Sequence, residues 1–390
     1  MATVELSTPK ILFVGPLRDF SGYANVARNY VRALNDVGLK LVTRDLRYDG
    51  GRYKRNFTEK LLARRDAQGV DIVIQQTTPN EMEPKPGCFN VGVFCWETDR
   101  IPDEWVAQLN RMDLILVPCQ SNLFAAKKCG VYKPIEIVPY SCDTSKYDKE
   151  IAPYTVGSST DAFKLLAICQ YSKKKGIDPL LKAYLSEFGH DENVLLMLKT
   201  YFGPKDGDEE RKKMIGIIQV IQQALRLKKY PKVQLIHEVM SFEDVERLYK
   251  TADCYCLPSR GEGWGVPHFD ALGHGLPAIA TRGTGPEEFI TSDCGWLVSS
   301  HASPCVDMPH PHDFMYTAKD NWREPQVGDL QRCMREAHNL WKHKETSLWN
   351  TLCENAKKRV KDFDNSVVGP KLRDTILSYY MQWREANASC

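Results

Sequence analysis

Two carboxylates, Glu262 and Asp270, stand with seven residues between them in a glycine-rich segment that runs from Pro258 to Pro277. Gly263, Trp264 and Gly265 follow the first carboxylate directly, and Gly275 and Pro277 close the segment. An apolar run precedes it and helical spacing follows. Glycines let the backbone approach a ligand closely, and amides at a helix start can face a phosphate or sugar oxygen. Glu262 lies before the turn and Asp270 about two turns into the helix. One carboxylate can therefore meet a sugar while the other meets a ribose, since each accepts bidentate hydrogen bonds from neighbouring hydroxyls. The same spacing also fits a tight strand-to-helix turn with Asp270 as a solvated helix residue. A second cluster, Lys173, Lys174 and Lys175 before Gly176, offers cations that on their own fit a solvated turn.

The elements that must position these groups alternate between strand and helix, twice. Apolar runs at 11–15, 39–46, 70–75, 90–94, 114–118 and 135–139 read as strands, with helical spacing at 26–34 and 122–129. Near Asp143 to Ala162 the pattern lapses into Gly, Ser and Thr, which marks a linker. A second series follows, with strands at 163–169, 194–200, 233–237, 254–257, 278–281 and 295–298 and helices at 177–188 and 242–252. Such alternation implies α/β architecture with parallel, doubly wound sheets. Ligands in these sheets bind beyond the carboxyl ends of the strands, where the Glu262 and Lys175 loops fall. A chain of 390 residues suits two domains. The expected division is 1–150, 151–365 and a final helical segment at 366–390.

Composition narrows the function class. Lys and Arg number 52 against 50 Asp and Glu, so no global field recruits nucleic acid or anionic membrane. The first ten residues lack a signal-peptide run, and nowhere do ~18 apolar residues follow one another. A cytoplasmic protein without a transmembrane segment is expected. The 13 cysteines are odd in number and sit mostly in apolar strand-like runs, as Cys169, Cys254 and Cys256 do, so buried reduced thiols are expected. His301, Cys305, His310 and His312 lie in a stretch that reads as irregular and fit no compact zinc spacing, and no metal is expected. Arg44, Arg47, Arg52, Lys54, Arg55, Lys60, Arg64 and Arg65, interleaved with Tyr48, Tyr53 and Phe57, form either a solvated face or a patch for an anionic acceptor.

The Glu262 to Pro277 block resembles the paired-carboxylate motif of the family-4 retaining glycosyltransferases, of the glycosyl transferases group 1 kind, within their Glu-Gly-aromatic-Gly-x-Pro context. The likeness extends to Val138–Asp143, similar to the family's interdomain strand and loop, and to Lys173–Asp178, similar to its phosphate-binding turn. The resemblance implies a GT-B fold, two facing Rossmann-like domains with a cleft between them. It further implies that Glu262 contacts donor-sugar hydroxyls, that Gly263, Trp264 and Gly265 offer backbone contacts, that Asp270 holds the ribose and that Lys175, with Lys174 beside it, meets the diphosphate. Asp270 replaces the family's usual glutamate, and Gln170 stands where many relatives carry an arginine. In the first domain, Ser21 and Gly22 match the family's glycine loop and would turn amides toward the donor phosphates. Their spacing is not that of a dinucleotide fingerprint, which argues against a dehydrogenase. After the fourth strand many relatives place a histidine. Here Glu97 is the nearest polar group for orienting an acceptor hydroxyl, and Trp96 either stacks on a ring or is buried, with a capping aspartate before a helix at 103–109.

The expected reaction is transfer of a sugar from a UDP- or GDP-sugar to an acceptor hydroxyl with retained configuration, without metal or a further cofactor. The acceptor stays open among a glycan, a lipid carrier, a protein and a hydroxymethylated DNA base. The alternatives are a nucleotide-sugar epimerase and a non-catalytic nucleotide-sugar-binding protein. The segment 367–383 has helical spacing, and the resemblance suggests that it returns to the first domain.

Overall fold

A computed structural model describes residues 8–18, 21–46, 68–156, 161–203, 207–308, 315–345 and 347–388. The chain forms two compact units, residues 1–144 with 361–390 and residues 145–360.

The first unit is built on six parallel strands, β1 (Lys10–Gly15), β2 (Lys40–Asp45), β3 (Ile72–Gln76), β4 (Phe89–Val93), β5 (Leu114–Val117) and β6 (Ile135–Ile137). Their order is β2-β1-β3-β4-β5-β6. β3, β4 and β5 are buried throughout, because helices and loops cover both faces of a parallel sheet. Helix α1 (Gly22–Asp36) turns Ala24, Val26, Ala27, Tyr30, Val31, Ala33 and Leu34 into the core. Two shorter helices follow, α2 (Asp103–Leu109) and α3 (Gln120–Lys128). The N-cap of α2 is Pro102 and makes no side-chain hydrogen bond, so a capping aspartate there, one of the sequence-based alternatives, is not found.

The second unit holds β7 (Phe163–Gln170), β8 (Val194–Tyr201), β9 (Lys232–Ile236), β10 (Cys254–Cys256), β11 (Ala278–Thr281) and β12 (Gly295–Val298), again all parallel. Their order is β12-β11-β10-β7-β8-β9. The chain starts in mid-sheet, winds outward through β8 and β9, then returns to the other side of β7 at β10. The direction of winding reverses between β7 and β10, and that reversal opens a crevice at the carboxyl ends of these two strands. Helices α4 (Ile177–Glu187), α5 (Asp208–Leu225), α6 (Phe242–Thr251), α7 (Val266–Gly273), α8 (Val327–Lys342) and α9 (Ser347–Lys361) accompany this sheet.

One element differs from the sequence expectation. The stretch containing His301 and Cys305, expected to be irregular, begins with an antiparallel hairpin, β13 (Ser300–Pro304) paired with β14 (Asn321–Pro325). His301 is exposed on β13 and Cys305 is buried, while His310 and His312 lie outside the described residues. Of the basic group, only Arg44 is described.

The last helix, α10 (Asn365–Ala388), belongs to the first unit and packs on α1. Gly369 permits the approach: a Cβ there would lie 3.0 Å from the Ala33 carbonyl oxygen. Asp364 anchors the start of α10 by accepting from the Thr144 and Ser366 amides and hydroxyls. Burial pulls the Asp364 carboxyl upward, but these hydrogen bonds outweigh it and hold the group down at about 2.

Candidate active site

The loops after β7 and β10 meet at the winding reversal of the second unit. Lys173–Lys175 form a short 3-10 turn that ends at Gly176, whose φ is 65°. Only glycine suits this place, since a Cβ would fall 2.1 Å from the Pro258 carbonyl oxygen. The Arg260 amide donates to the Lys174 carbonyl at 2.7 Å, joining the two loops directly. Across this junction the Lys175 ammonium donates to Glu262 Oε1 at 2.7 Å. Glu262 is buried, with only 7% of its surface exposed, and this ammonium lies against its carboxylate. The expected cation and the expected first carboxylate are thus in contact.

Arg260 organises both loops and escapes the sequence reading. It is almost fully buried and donates to both Asp178 oxygens, at 2.7 and 2.9 Å. It also pairs with Glu324 of β14 and donates to the Lys173 carbonyl at 2.6 Å. Its guanidinium lies 5.5 Å from the Trp322 ring centroid. Burial raises the Asp178 carboxyl, but Arg260 outweighs it and the net displacement is downward. The sequence places Asp178 and Glu324 82 and 64 residues from Arg260, so no local pattern announces the cluster.

The glycine segment is held from a third loop. The Gly285 amide donates to the Glu262 carbonyl at 2.8 Å. A Cβ at Gly285 would meet Gly263 and Trp264 backbone at 2.6 Å. The Trp264 indole is buried against Phe269 and Phe289, at ring-centroid distances of 6.0 and 5.0 Å. Gly265 has φ 92° and serves as the N-cap of α7, with Pro267 in the first turn. His268, fully buried, bonds the Leu257 carbonyl through Nε2 at 2.9 Å. Burial lowers its pKa to about 4 against the upward pull of the Glu262 charge, so the ring is neutral at pH 7.

Asp270 lies on α7, and its Oδ1 accepts from the Tyr147 hydroxyl at 2.6 Å and from Lys146 at 2.9 Å. Gln170 turns its amide to the Phe202 carbonyl at 3.0 Å. Lys174 sets its ammonium 5.8 Å from the Tyr316 ring centroid.

Ser21 and Gly22, at the start of α1 after β1, and Glu97, in the loop after β4, are in the first unit at the carboxyl edge of its sheet. Ser21 caps α1, its Oγ accepting from the Ala24 amide at 3.2 Å. Glu97 is half-buried in a loop that Asn122 clamps, accepting from the Trp96 amide and donating to the Trp96 carbonyl. Trp96 itself is buried edge-on to Trp105 at 4.6 Å, with its indole N–H turned to Thr98 and Arg100. The buried alternative for Trp96 is the one adopted, so stacking on a ligand ring is corrected. Among the described residues, no group of three or more His, Cys, Asp or Glu could hold a metal ion, and no helix is long and apolar enough to cross a membrane.

Residues 148–304 match the family described as Glycosyl transferases group 1. Among solved structures, the chain is similar to one from E. coli described as trehalose-6-phosphate bound with UDP-2-fluoro glucose, at 10% identity. The TM-score is 0.63, covering 94% of this chain and 98% of that one. Anabaena HepE in complex with UDP-glucose is 14% identical with a TM-score of 0.60, covering 95% of this chain and 100% of that one. The pneumococcal O-GlcNAc transferase GtfA in complex with UDP and GlcNAc is 16% identical with a TM-score of 0.50; the likeness covers 79% of this chain and 57% of that longer one. No curated protein sequence matches. With a glycosyl transferases group 1 domain at residues 148–304 and two parallel doubly wound sheets of the GT-B type, the chain is a glycosyltransferase.

Proposed function

We propose that this glycosyltransferase draws its sugar from a UDP- or GDP-sugar and passes it to an acceptor hydroxyl with retention of anomeric configuration. The observation that carries the reading is the Lys175–Glu262 pair, 2.7 Å apart at the winding reversal. A carboxylate and an ammonium in contact match the two ends of a sugar diphosphate, hydroxyl donors on one side and anionic oxygens on the other. On donor binding, Glu262 accepts from sugar hydroxyls and Lys175, with Lys174, meets the diphosphate. Backbone groups of Gly263, Trp264 and Gly265 line the sugar, and Asp270 accepts from the ribose. To the first unit the proposal assigns the acceptor, with Glu97 orienting its hydroxyl and the Ser21 and Gly22 amides as further phosphate donors.

In the proposed chemistry the acceptor oxygen forms its bond to the anomeric carbon on the face from which the nucleoside diphosphate departs. The bond to the leaving phosphate breaks through an oxocarbenium-like state, and that phosphate takes the acceptor proton. Negative charge building on the leaving group is met by Lys175 and amides, so the reading includes metal independence and no cofactor beyond the co-substrate. A cytoplasmic location is part of it, supported by buried cysteines within strands at 169, 254 and 256. A glycan, a lipid carrier, a protein and a hydroxymethylated DNA base remain the acceptor classes to assay.

The test is a thermal-shift panel of UDP-, GDP- and ADP-sugars against the wild type, Glu262→Ala and Asp270→Ala. A binding donor raises the melting temperature by mass action. One strong responder lost in Glu262→Ala is the expected result, and the anomeric configuration of the product then reads retention. No response to any nucleotide sugar would sink the donor-site reading.

A further inference from the structure

We propose that Tyr147 and Lys146 are positioning residues for Asp270, fixing one oxygen of its carboxylate so that the other is presented to the ribose of the donor nucleotide. The inference rests on the ribose role of Asp270 proposed above. Asp270 Oδ1 accepts from both the Tyr147 hydroxyl, at 2.6 Å, and the Lys146 ammonium, at 2.9 Å. Among the described residues Oδ2 takes no hydrogen bond, and the side chain keeps 24% of its surface exposed. Two donors on one oxygen pin a short side chain in a single rotamer and leave the second oxygen open as an acceptor.

The Tyr147 ring is itself held by packing on several sides. It lies against Gly273, where a Cβ would come within 2.5 Å of it. Glycine is thus the residue that admits the ring at the end of α7. His274 meets the ring edge-on at 5.2 Å and stacks in turn on Tyr249 at 5.3 Å. The Tyr249 hydroxyl donates to the Pro267 carbonyl in the first turn of α7, so both ends of that helix are tied to the support. Lys146 closes over the Tyr147 ring at 4.6 Å. The phenol is thus aimed at Asp270 by packing rather than by its hydrogen bond alone.

Calorimetric titration distinguishes positioning from mere support. The wild type, Tyr147→Phe, Lys146→Gln and Asp270→Ala are titrated with UDP, 2′-deoxyuridine diphosphate and 3′-deoxyuridine diphosphate, or with the GDP set if guanine donors stabilise the protein. The wild type is expected to prefer the ribonucleotide over at least one deoxy form by on the order of tenfold. Tyr147→Phe, which keeps the ring in place, is expected to lower that preference severalfold while deoxynucleotide affinity and melting temperature hold. Equal weakening toward all three nucleotides, or no change, in Tyr147→Phe and Lys146→Gln would overturn the positioning role while Asp270→Ala still abolished the preference. If Asp270→Ala keeps the preference, the ribose reading of Asp270 fails, and the positioning role with it.

Discussion

Lys175 spends its charge on Glu262 before any ligand arrives, and this fixes what its removal does. With Lys175→Gln, Glu262 is left buried without its ammonium partner, and on the proposed donor reading a developing diphosphate charge loses a cation. Removing one such preorganised donor costs on the order of 100-fold in kcat. We expect Lys175→Gln to lower kcat by about that factor with a smaller change in KM, read by steady-state kinetics on the donor that the thermal-shift panel identifies. An unchanged kcat would remove Lys175 from the chemistry. These two residues are legible in the sequence because each belongs to a contiguous motif. Arg260 is not, although it stands two positions before Glu262, because its meaning comes from Asp178 and Glu324, which only folding brings to it. Gln170 shows the converse. The sequence marks it as a departure from the resembled pattern, and its side chain serves the Phe202 carbonyl at the end of the neighbouring strand.

At the scale of elements, the buried parallel strands were the easiest to read. Helices and loops covering both faces of a sheet force near-continuous apolar runs, so β7 and β8 announce themselves with six and seven buried residues out of eight respectively. The β13–β14 hairpin does not, since β13 has no buried residue and carries Ser, His and Pro. That hairpin nevertheless reaches the site, because Glu324 on β14 holds Arg260. The strand-to-helix turn before α7 was legible from its glycines, and Gly265 gives the reason its composition is fixed. Its φ of 92° disfavours any L side chain, and a Cβ would lie 2.6 Å from Pro286 and 3.1 Å from His268 Nδ1. Left-handed strain alone costs about 1–3 kcal/mol. Gly265→Ala is therefore expected to destabilise the protein by roughly 2 kcal/mol or more in urea titration and to abolish thermal stabilisation by nucleotide sugars. An alanine variant of full stability and full donor response would show that the turn is not under this constraint.

The whole molecule adds a dependence on pH that no single motif contains. Three histidines of the second unit, His268, His274 and His338, are each lowered to about 4, in every case chiefly by burial. An unfolded histidine titrates near 6.5, so acidification protonates the unfolded chain first. A group whose folded pKa is depressed gives its full stability above the unfolded pKa and loses it as pH falls toward the folded one. The window is therefore pH 6.5 down to 4. Fully buried His268 alone accounts for about 2 kcal/mol lost by pH 5. Asp253, whose burial outweighs its hydrogen bonds from Trp341 and the Lys164 amide, is displaced upward and works in the opposite sense. It starts from the carboxylate range, below most of the histidine window, so the histidines dominate between pH 6.5 and 5. Calorimetric melting from pH 7 to 5 should show the second unit losing stability more steeply than the first, whose Asp364, held at about 2, weakens only in stronger acid. His268→Gln should flatten part of that slope whatever its effect on absolute stability. Two units that lose stability in parallel over this range would assign the pH dependence to surface charge rather than to the buried rings.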